Sequence, residues 1–167
     1  MPTALDLFER HHVAVFRFLR GMRLPTPDAE DLTQEVFLRV LRGLSRYQER
    51  QTERAWVFRI ARNVWIDHLR ARGRAPASLP LGDPRGLATP PGQVARAALD
   101  EALARIGDAE REAFLMREVA GLGYAEIAEA TGTTPDAVRS RIHRGRLALR
   151  QALGGQPVAR ALGGREE

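Results

Sequence analysis

The stretch from Pro76 to Gly92, PASLPLGDPRGLATPPG, holds five prolines in 17 residues. Proline fixes φ and offers no amide hydrogen, so neither a helix nor an interior strand crosses such a run. The chain is thereby cut into two segments, each under about 80 residues and each able to build only a modest core. An irregular linker is expected at 76–92. It would separate an N-terminal domain, residues 1–75, from a C-terminal domain, residues 93–153, with a loose tail at 154–167.

Both segments read as helix. Apolar residues recur at helical spacing, and no alternating β-branched run bounded by turns suggests a strand. Leu5, Phe8, His12, Val15, Phe16, Leu19 and Met22 form one stripe. Leu32, Val36, Phe37, Val40, Leu41 and Leu44 form a second, and residues 55–71 a third helix. Four shorter patterns follow the linker, near 93–106, 108–120, 124–131 and 135–153. The expected fold is all-α, an N-terminal helical bundle joined to a C-terminal four-helix domain. The tetrapeptide TPDA, at 26–29 and again at 134–137, reads as a helix start. Thr26 and Thr134 suit the N-cap, Pro27 and Pro135 the first helical position, and Asp28 and Asp136 the positive helix end.

With no cysteine in the chain, neither a disulfide framework nor a thiolate metal site is expected. No apolar run approaches the ~18 residues of a membrane span, and the N-terminus lacks a secretory core. No membrane insertion and a cytoplasmic location are therefore expected. All 26 basic residues are arginine, which GC-rich coding alone can produce. The net charge of +5 says less than its distribution. Residues 54–74 hold six Arg against one Asp, and residues 135–150 five Arg against one Asp. Residues 93–131 between them hold four Arg against eight acids. Two separated basic patches on a small chain suggest two footprints on one polyanion. A tether of about 18 residues reaches at most ~60 Å, the length of roughly 17 base pairs of duplex.

On a helix spanning 135–150, Val138, Ile142, Gly145 and Leu149 share one face. Arg139, Ser140, His143, Arg144 and Arg150 spread over the other. Upstream, YAEIAEATGTT supplies a short helix and a turn glycine. Small Ala128, turn Gly132 and apolar Val138 match a helix-turn-helix: the alanine lets the helices approach, and the glycine takes the positive φ of the corner. The second helix of such a unit lies in the major groove, where Arg139 and Arg144 suit guanine or phosphate and Ser140 and His143 suit smaller contacts. An ordinary solvated amphipathic helix is the competing reading.

The stretch RAWVFRIARNVWIDHLRARGR plots similarly. Val57, Ile60, Ala61, Val64 and His68 share a face, with Trp65 expected in the core. Arg54, Trp56, Arg59, Asn63 and Arg70 supply a surface suited to exposed bases: arginine for phosphate, an aromatic for stacking, an amide for a base edge. Trp56 closing the edge of the core is the alternative. The helix DAEDLTQEVFLRV turns Asp31, Gln34, Glu35 and Arg39 away from its apolar stripe, which suits protein docking or plain solvation. No histidine stands at ligand spacing from these acids, so no metal is expected.

These segments resemble the extracytoplasmic-function (ECF) class of bacterial sigma factors, the promoter-reading subunits of RNA polymerase. AEDLTQEVFLRVLR is similar to the family's core-binding helix, AWVFRIARNVWIDHLRARGR to its minus-ten segment, and GLGYAEIAEATGTTPDAVRSRIHRGRLALRQAL to its minus-thirty-five helix-turn-helix. The resemblance covers residues 4–74 and 93–153. It implies two helical domains on a flexible linker, with no intermediate domain. It implies docking of Asp31, Gln34, Glu35 and Arg39 on the clamp helices of the β′ subunit, and contact with the β flap. It gives minus-ten capture and melting to Arg54, Trp56, Arg59, Asn63, Arg70 and the loop SRYQERQTER. Arg139, Ser140, His143, Arg144 and Arg150 take the minus-thirty-five duplex. A transcription initiation factor without bond-making chemistry or cofactor follows, nucleoid-associated in the holoenzyme and subject to an anti-sigma factor. The sequence ARIGDAER departs from the family's usual Leu-Pro pair, with Asp108 in place to start the helix. The alternatives are a stand-alone helix-turn-helix regulator and, from another class, a metal-dependent nucleic-acid hydrolase using Asp28, Asp31 and Glu35.

Overall fold

The structure, a computed structural model, describes residues 1–73 and 91–154, with side chains from residue 95 onward in the second stretch. The described residues form α1 (Ala4–Gly21), α2 (Thr26–Gly43), α3 (Glu53–Ala71), α4 (Pro91–Ala104), α5 (Asp108–Glu118), α6 (Tyr124–Thr131) and α7 (Pro135–Ala152). A single 3-10 turn, Leu44–Arg46, follows α2, and no strand occurs among these residues. Residues 76–90 of the expected linker and 155–167 of the expected tail lie outside the described residues. Pro91 and Gly92, assigned from the sequence to the linker, belong instead to the first turn of α4, where proline has no amide to leave unpaired.

α1 begins in a capping box: Thr3 Oγ1 accepts from the Asp6 amide at 3.1 Å, and Asp6 Oδ2 accepts from the Thr3 amide at 2.7 Å. Its buried residues are Leu7, His11, Val15, Phe18, Leu19 and Gly21, with Met22 buried just beyond it, so Val15, Leu19 and Met22 of the expected stripe are in the core and Leu5 and Phe8 are not. Leu5 is 65% exposed and Phe8 41%. α1 carries two overlapping apolar stripes, and only the one facing α2 and α3 enters the core. Phe8 lies over His12, ring centroids 4.5 Å apart, and meets the edge of Phe37 at 5.1 Å.

α2 corrects the TPDA reading by one residue. Pro25 is extended, at φ −56° and ψ 152°, and its carbonyl accepts from the Ala29 amide at 2.9 Å, so Thr26 is already helical and caps nothing. At the other copy Thr134 is the N-cap, with its hydroxyl accepting from the Ala137 amide at 3.2 Å. Ala29, Val36 and Val40 of α2 are buried, whereas Leu41, expected in the stripe, is 59% exposed. α3 buries Val57, Phe58, Ala61, Val64 and Trp65, and Phe58 meets Phe18 edge-on at 5.7 Å.

In the second segment Arg111 is buried yet fully engaged. Its guanidinium donates to the carbonyls of Leu103 at 2.8 Å and Ile106 at 2.7 Å, and to Asp108 at 2.8 Å. This one side chain donates to one carbonyl in the last turn of α4 and one in the connection after it, and ties α4 to α5. Asp108 is the first residue of α5, as expected. The α6–α7 corner turns on Gly132 at φ 67° and ψ 38°, the left-handed region that glycine enters without strain. Gly145 brings α7 onto α5: a Cβ there would sit 3.4 Å from the Glu110 carbonyl oxygen and 3.5 Å from the Phe114 Cβ. One continuous buried cluster runs from Leu7 and Phe18 through Leu115 and Phe114 to Ile142 and Leu149. Full burial of each large side chain contributes about 1.5–3 kcal/mol against the entropy of ordering it.

Candidate nucleic-acid interface

Everything about α7 follows from its divided surface. Val138, Ile142, Gly145 and Leu149 are buried against α5 and α6, so the helix cannot rotate about its axis. Arg139, Ser140, His143, Arg144 and Arg150 are all exposed on the remaining face. Arg139 Nη1 donates to Asp136 at 2.9 Å, and its guanidinium carbon lies 5.4 Å from the centre of the Tyr124 ring. Arg117 approaches the same ring at 5.1 Å, anchored through Nη1 to the Leu122 carbonyl at 2.9 Å. Arg144 pairs with Glu110 at 3.4 Å, an exposed contact that screening weakens. The result is a rigid, arginine-lined cylinder whose outer face is open to a groove or to phosphates.

The second basic surface lies on α3, with Thr52 as N-cap accepting from the Ala55 amide at 3.2 Å. Asn63 and Arg70 are exposed. Trp56 is half-buried: its ring lies 5.0 Å from that of Tyr47, and Gly43 packs against its edge. Tyr47 is itself buried, and its hydroxyl donates to the Gln51 carbonyl at 3.0 Å, folding the loop 47–52 back on itself. Tyr47 was missed in the sequence, where its loop reads as polar; an aromatic five residues before the helix cap Thr52 was the available signal. Arg54 and Arg59 point toward the second segment. Arg54 Nη1 donates to the Gly121 carbonyl at 3.5 Å, and Arg59 Nη2 to Glu129 at 2.6 Å. The structure therefore separates the five residues of this group: two are open, one is packed, and two are engaged within the chain.

The outer face of α2 presents Asp31 and Gln34, both exposed and without side-chain partners among the described residues. Glu35 and Arg39 are bound to each other at 2.8 Å, and Arg39 reaches across to Asp67 of α3 at 2.7 Å. These two bonds, that to Asp67 foremost, hold the Arg39 guanidinium above its ordinary pKa. Beside them Leu38 and Leu41 stand 47% and 59% exposed, giving the acidic face an apolar half; of the two, only Leu41 was expected in the core stripe. Exposed apolar side chains rimmed by polar residues suit a protein-docking surface. No helix among the described residues is long and apolar enough to cross a membrane.

Comparison with known proteins agrees with this arrangement in both segments. The family model Sigma-70 region 2 matches residues 7–75, and that of Sigma-70, region 4, matches residues 96–149. The chain is 36% identical to the ECF RNA polymerase sigma factor SigE of Mycolicibacterium smegmatis over 166 residues, covering 92% of this chain and 62% of that protein. It is 35% identical to the RNA polymerase sigma factor CarQ of Myxococcus xanthus over 156 residues, covering 89% of this chain and 88% of CarQ. Among solved structures it is similar to CnrH in complex with the cytosolic domain of CnrY, at 25% identity and a TM-score of 0.70, covering 92% of this chain and 89% of that one. The fold is shared also with RpoE of Bartonella quintana, solved with the anti-sigma factor NepR, at 22% identity and a TM-score of 0.70, covering 90% and 96% of the two chains. With both sigma regions matched in order on two helical segments, the chain belongs to the ECF sigma factors of bacterial RNA polymerase.

Proposed function

We propose that the chain is a transcription initiation factor that binds core RNA polymerase and brings it to specific promoters. α4–α7 read the minus-thirty-five duplex through Arg139, Ser140, His143, Arg144 and Arg150. α1–α3 bind the polymerase clamp through Asp31, Gln34, Glu35 and Arg39, with Leu38 and Leu41 adding apolar area. Arg54, Arg59, Asn63 and Arg70 hold the backbone of the opened minus-ten strand. Trp56, packed on Tyr47, supports the loop that takes the unstacked base. Binding there offsets an unstacking cost of a few kcal/mol per extruded base. The factor forms and breaks no covalent bond and uses no cofactor. It works in the cytoplasm, joins the nucleoid as part of the holoenzyme, and is held in check by an anti-sigma protein, the class of partner bound in the RpoE–NepR structure.

The observation that carries this reading is α7, which buries Val138, Ile142, Gly145 and Leu149 in the core while Arg139, Ser140, His143, Arg144 and Arg150, all of DNA-binding chemistry, stay exposed. A stand-alone regulator would share that helix but has no need of the acidic, leucine-flanked face on α2. An electrophoretic shift on promoter duplex separates the two. The chain with core polymerase retains DNA and the chain alone does so poorly; tight, sequence-specific binding by the chain alone would favour the regulator.

A further inference from the structure

The eight acids of residues 93–131 are not spread evenly over the surface of the second segment. Three of them converge on the basic surface of the first. Glu129 accepts from Arg59 at 2.6 Å, Glu126 accepts from the Thr52 hydroxyl at 2.6 Å, and Glu112 accepts from Arg62 Nε. Arg54 donates to the Gly121 carbonyl at 3.5 Å alongside them, and Arg20 pairs with Asp100 at 3.4 Å further along the seam. An apolar contact completes it. Gly21, at the end of α1, lies so close to Leu115 that a Cβ would fall 2.7 Å from Leu115 Cδ1. A side chain here would have to displace the end of Leu115, which is itself buried.

We infer that the acidic face of α5 and α6 is a docking surface for the chain's own α3, which it occupies in the free protein in place of DNA. A carboxylate presents to a guanidinium what a phosphate presents, anionic oxygens that accept from its donor fork. Arg59 cannot hold Glu129 and a backbone phosphate with the same nitrogens. The contact is also selective. It covers the beginning of α3, where Thr52, Arg54, Arg59 and Arg62 lie, and leaves Asn63, Arg70 and the outer face of α7 open. Closure thus obstructs capture of the opened strand while duplex recognition remains available. Opening requires something that competes for these surfaces, and the polymerase, which must separate them to span a promoter, is the partner placed to do so.

The contact need not be strong to be populated. The two halves are covalently tethered, so each meets the other at an effective concentration on the order of millimolar. An exposed ion pair shifts such an equilibrium by roughly two- to fivefold, and salt weakens it because the interaction is screened beyond about 8 Å at physiological ionic strength. Glu112 is the buried member, only 7% exposed, so it ranks above the other two in its dependence on closure.

The consequence for DNA rests on the proposed function; the docking itself does not. Since the chain has no cysteine, Glu9→Cys and Gln151→Cys introduce two unique label sites, one in each half and outside every surface discussed. Energy transfer between dyes on this full-length protein is measured from about 50 to about 500 mM NaCl. Transfer changes toward an open distribution as salt rises, and Glu126→Gln with Glu129→Gln moves the low-salt ratio of closed to open about five- to twentyfold in the same direction. Glu129→Arg opens the protein, and adding Arg59→Glu closes it again, a rescue that simple loss of folding could not produce. In parallel, the Glu126→Gln, Glu129→Gln protein binds a fluorescein-labelled single-stranded oligonucleotide of about 20 nucleotides several-fold more tightly than the parent, without polymerase. Transfer insensitive to salt and to all four substitutions would overturn the docking. Opening with no gain in oligonucleotide binding would overturn the competition with DNA. Neither result touches transcription by the holoenzyme, on which the proposed function stands or falls.

Discussion

Arg139 leaves α7 under two constraints, a 2.9 Å bond to Asp136 and the Tyr124 ring 5.4 Å from its guanidinium carbon. The bond competes with a base for the same donors, whereas the ring orients the fork without using any of them. Tyr124→Ala is therefore expected to weaken holoenzyme binding to the upstream promoter element about threefold, with Tyr124→Phe close to the parent because the ring face remains. Anisotropy on a labelled promoter duplex measures this, and core-polymerase binding should not change. Two histidines make a separate point. Burial, foremost, holds the imidazoles of His11 and His68 below the ordinary value of 6.5, against the pull of Glu53 on His11 and of Asp28 on His68. The unfolded chain takes up these protons at a higher pH than the folded one. The stability they contribute is full above pH 6.5 and drains as pH falls through their lowered values. Urea midpoints should fall from about pH 7 to about pH 5, and His11→Gln with His68→Gln should flatten that slope. Single residues were unevenly legible in the sequence: Trp65 reads correctly as core because it lies on an apolar helix face, but Tyr47 does not, because no periodicity operates in a loop.

α7 and α1 show what decides legibility at the scale of an element. On α7 the large apolar residues other than Leu147 form one stripe, the outer face carries several arginines, and all four expected inner residues are buried. α1 carries apolar residues on two sides, and spacing alone cannot say which side meets the core; the packing of α2 and α3 selects Leu7, His11, Val15 and Phe18. The surplus on α1 and α2, with Leu5, Phe8, Leu38 and Leu41 outward, suits a protein-docking subunit, and a simple amphipathic rule misfiles Leu5, Phe8 and Leu41. Two predictions belong here. Gly132→Ala forces a side chain into the left-handed corner of the helix-turn-helix and should cost about 1–2 kcal/mol in stability, read by chemical denaturation. Asp31→Arg reverses charge on the exposed face of α2 without touching the Glu35–Arg39–Asp67 chain. It should reduce core-polymerase affinity by at least about tenfold in a pull-down while helicity is unchanged. Glu35→Arg should abolish assembly too, but it also breaks the bond that secures Arg39, so the two effects are separated by comparing it with Asp31→Arg.

For the molecule as a whole, the all-helical class was visible in the apolar spacing, and the two arginine-rich stretches in a count of charges along the chain. How the segments face each other was not visible. Charge totals report that an acidic stretch lies between two basic ones, but Arg59 finding Glu129, 70 positions away, depends on three helices being packed first. Arg139→Ala and Arg144→Ala should each weaken upstream promoter binding by about 1–3 kcal/mol while leaving core-polymerase binding intact. That outcome separates duplex reading from enzyme docking within one chain. The central claim, that these surfaces together direct initiation, is tested most directly by transcription in vitro. Purified chain and core polymerase are given a library of genomic fragments, and the start sites are mapped. The expected result is initiation at a small set of sites sharing two short sequence elements under two helical turns apart, lost with Asp31→Arg and weakened with Arg144→Ala. Transcripts no different from those of core polymerase alone, made in the presence of a folded helical chain, would contradict it.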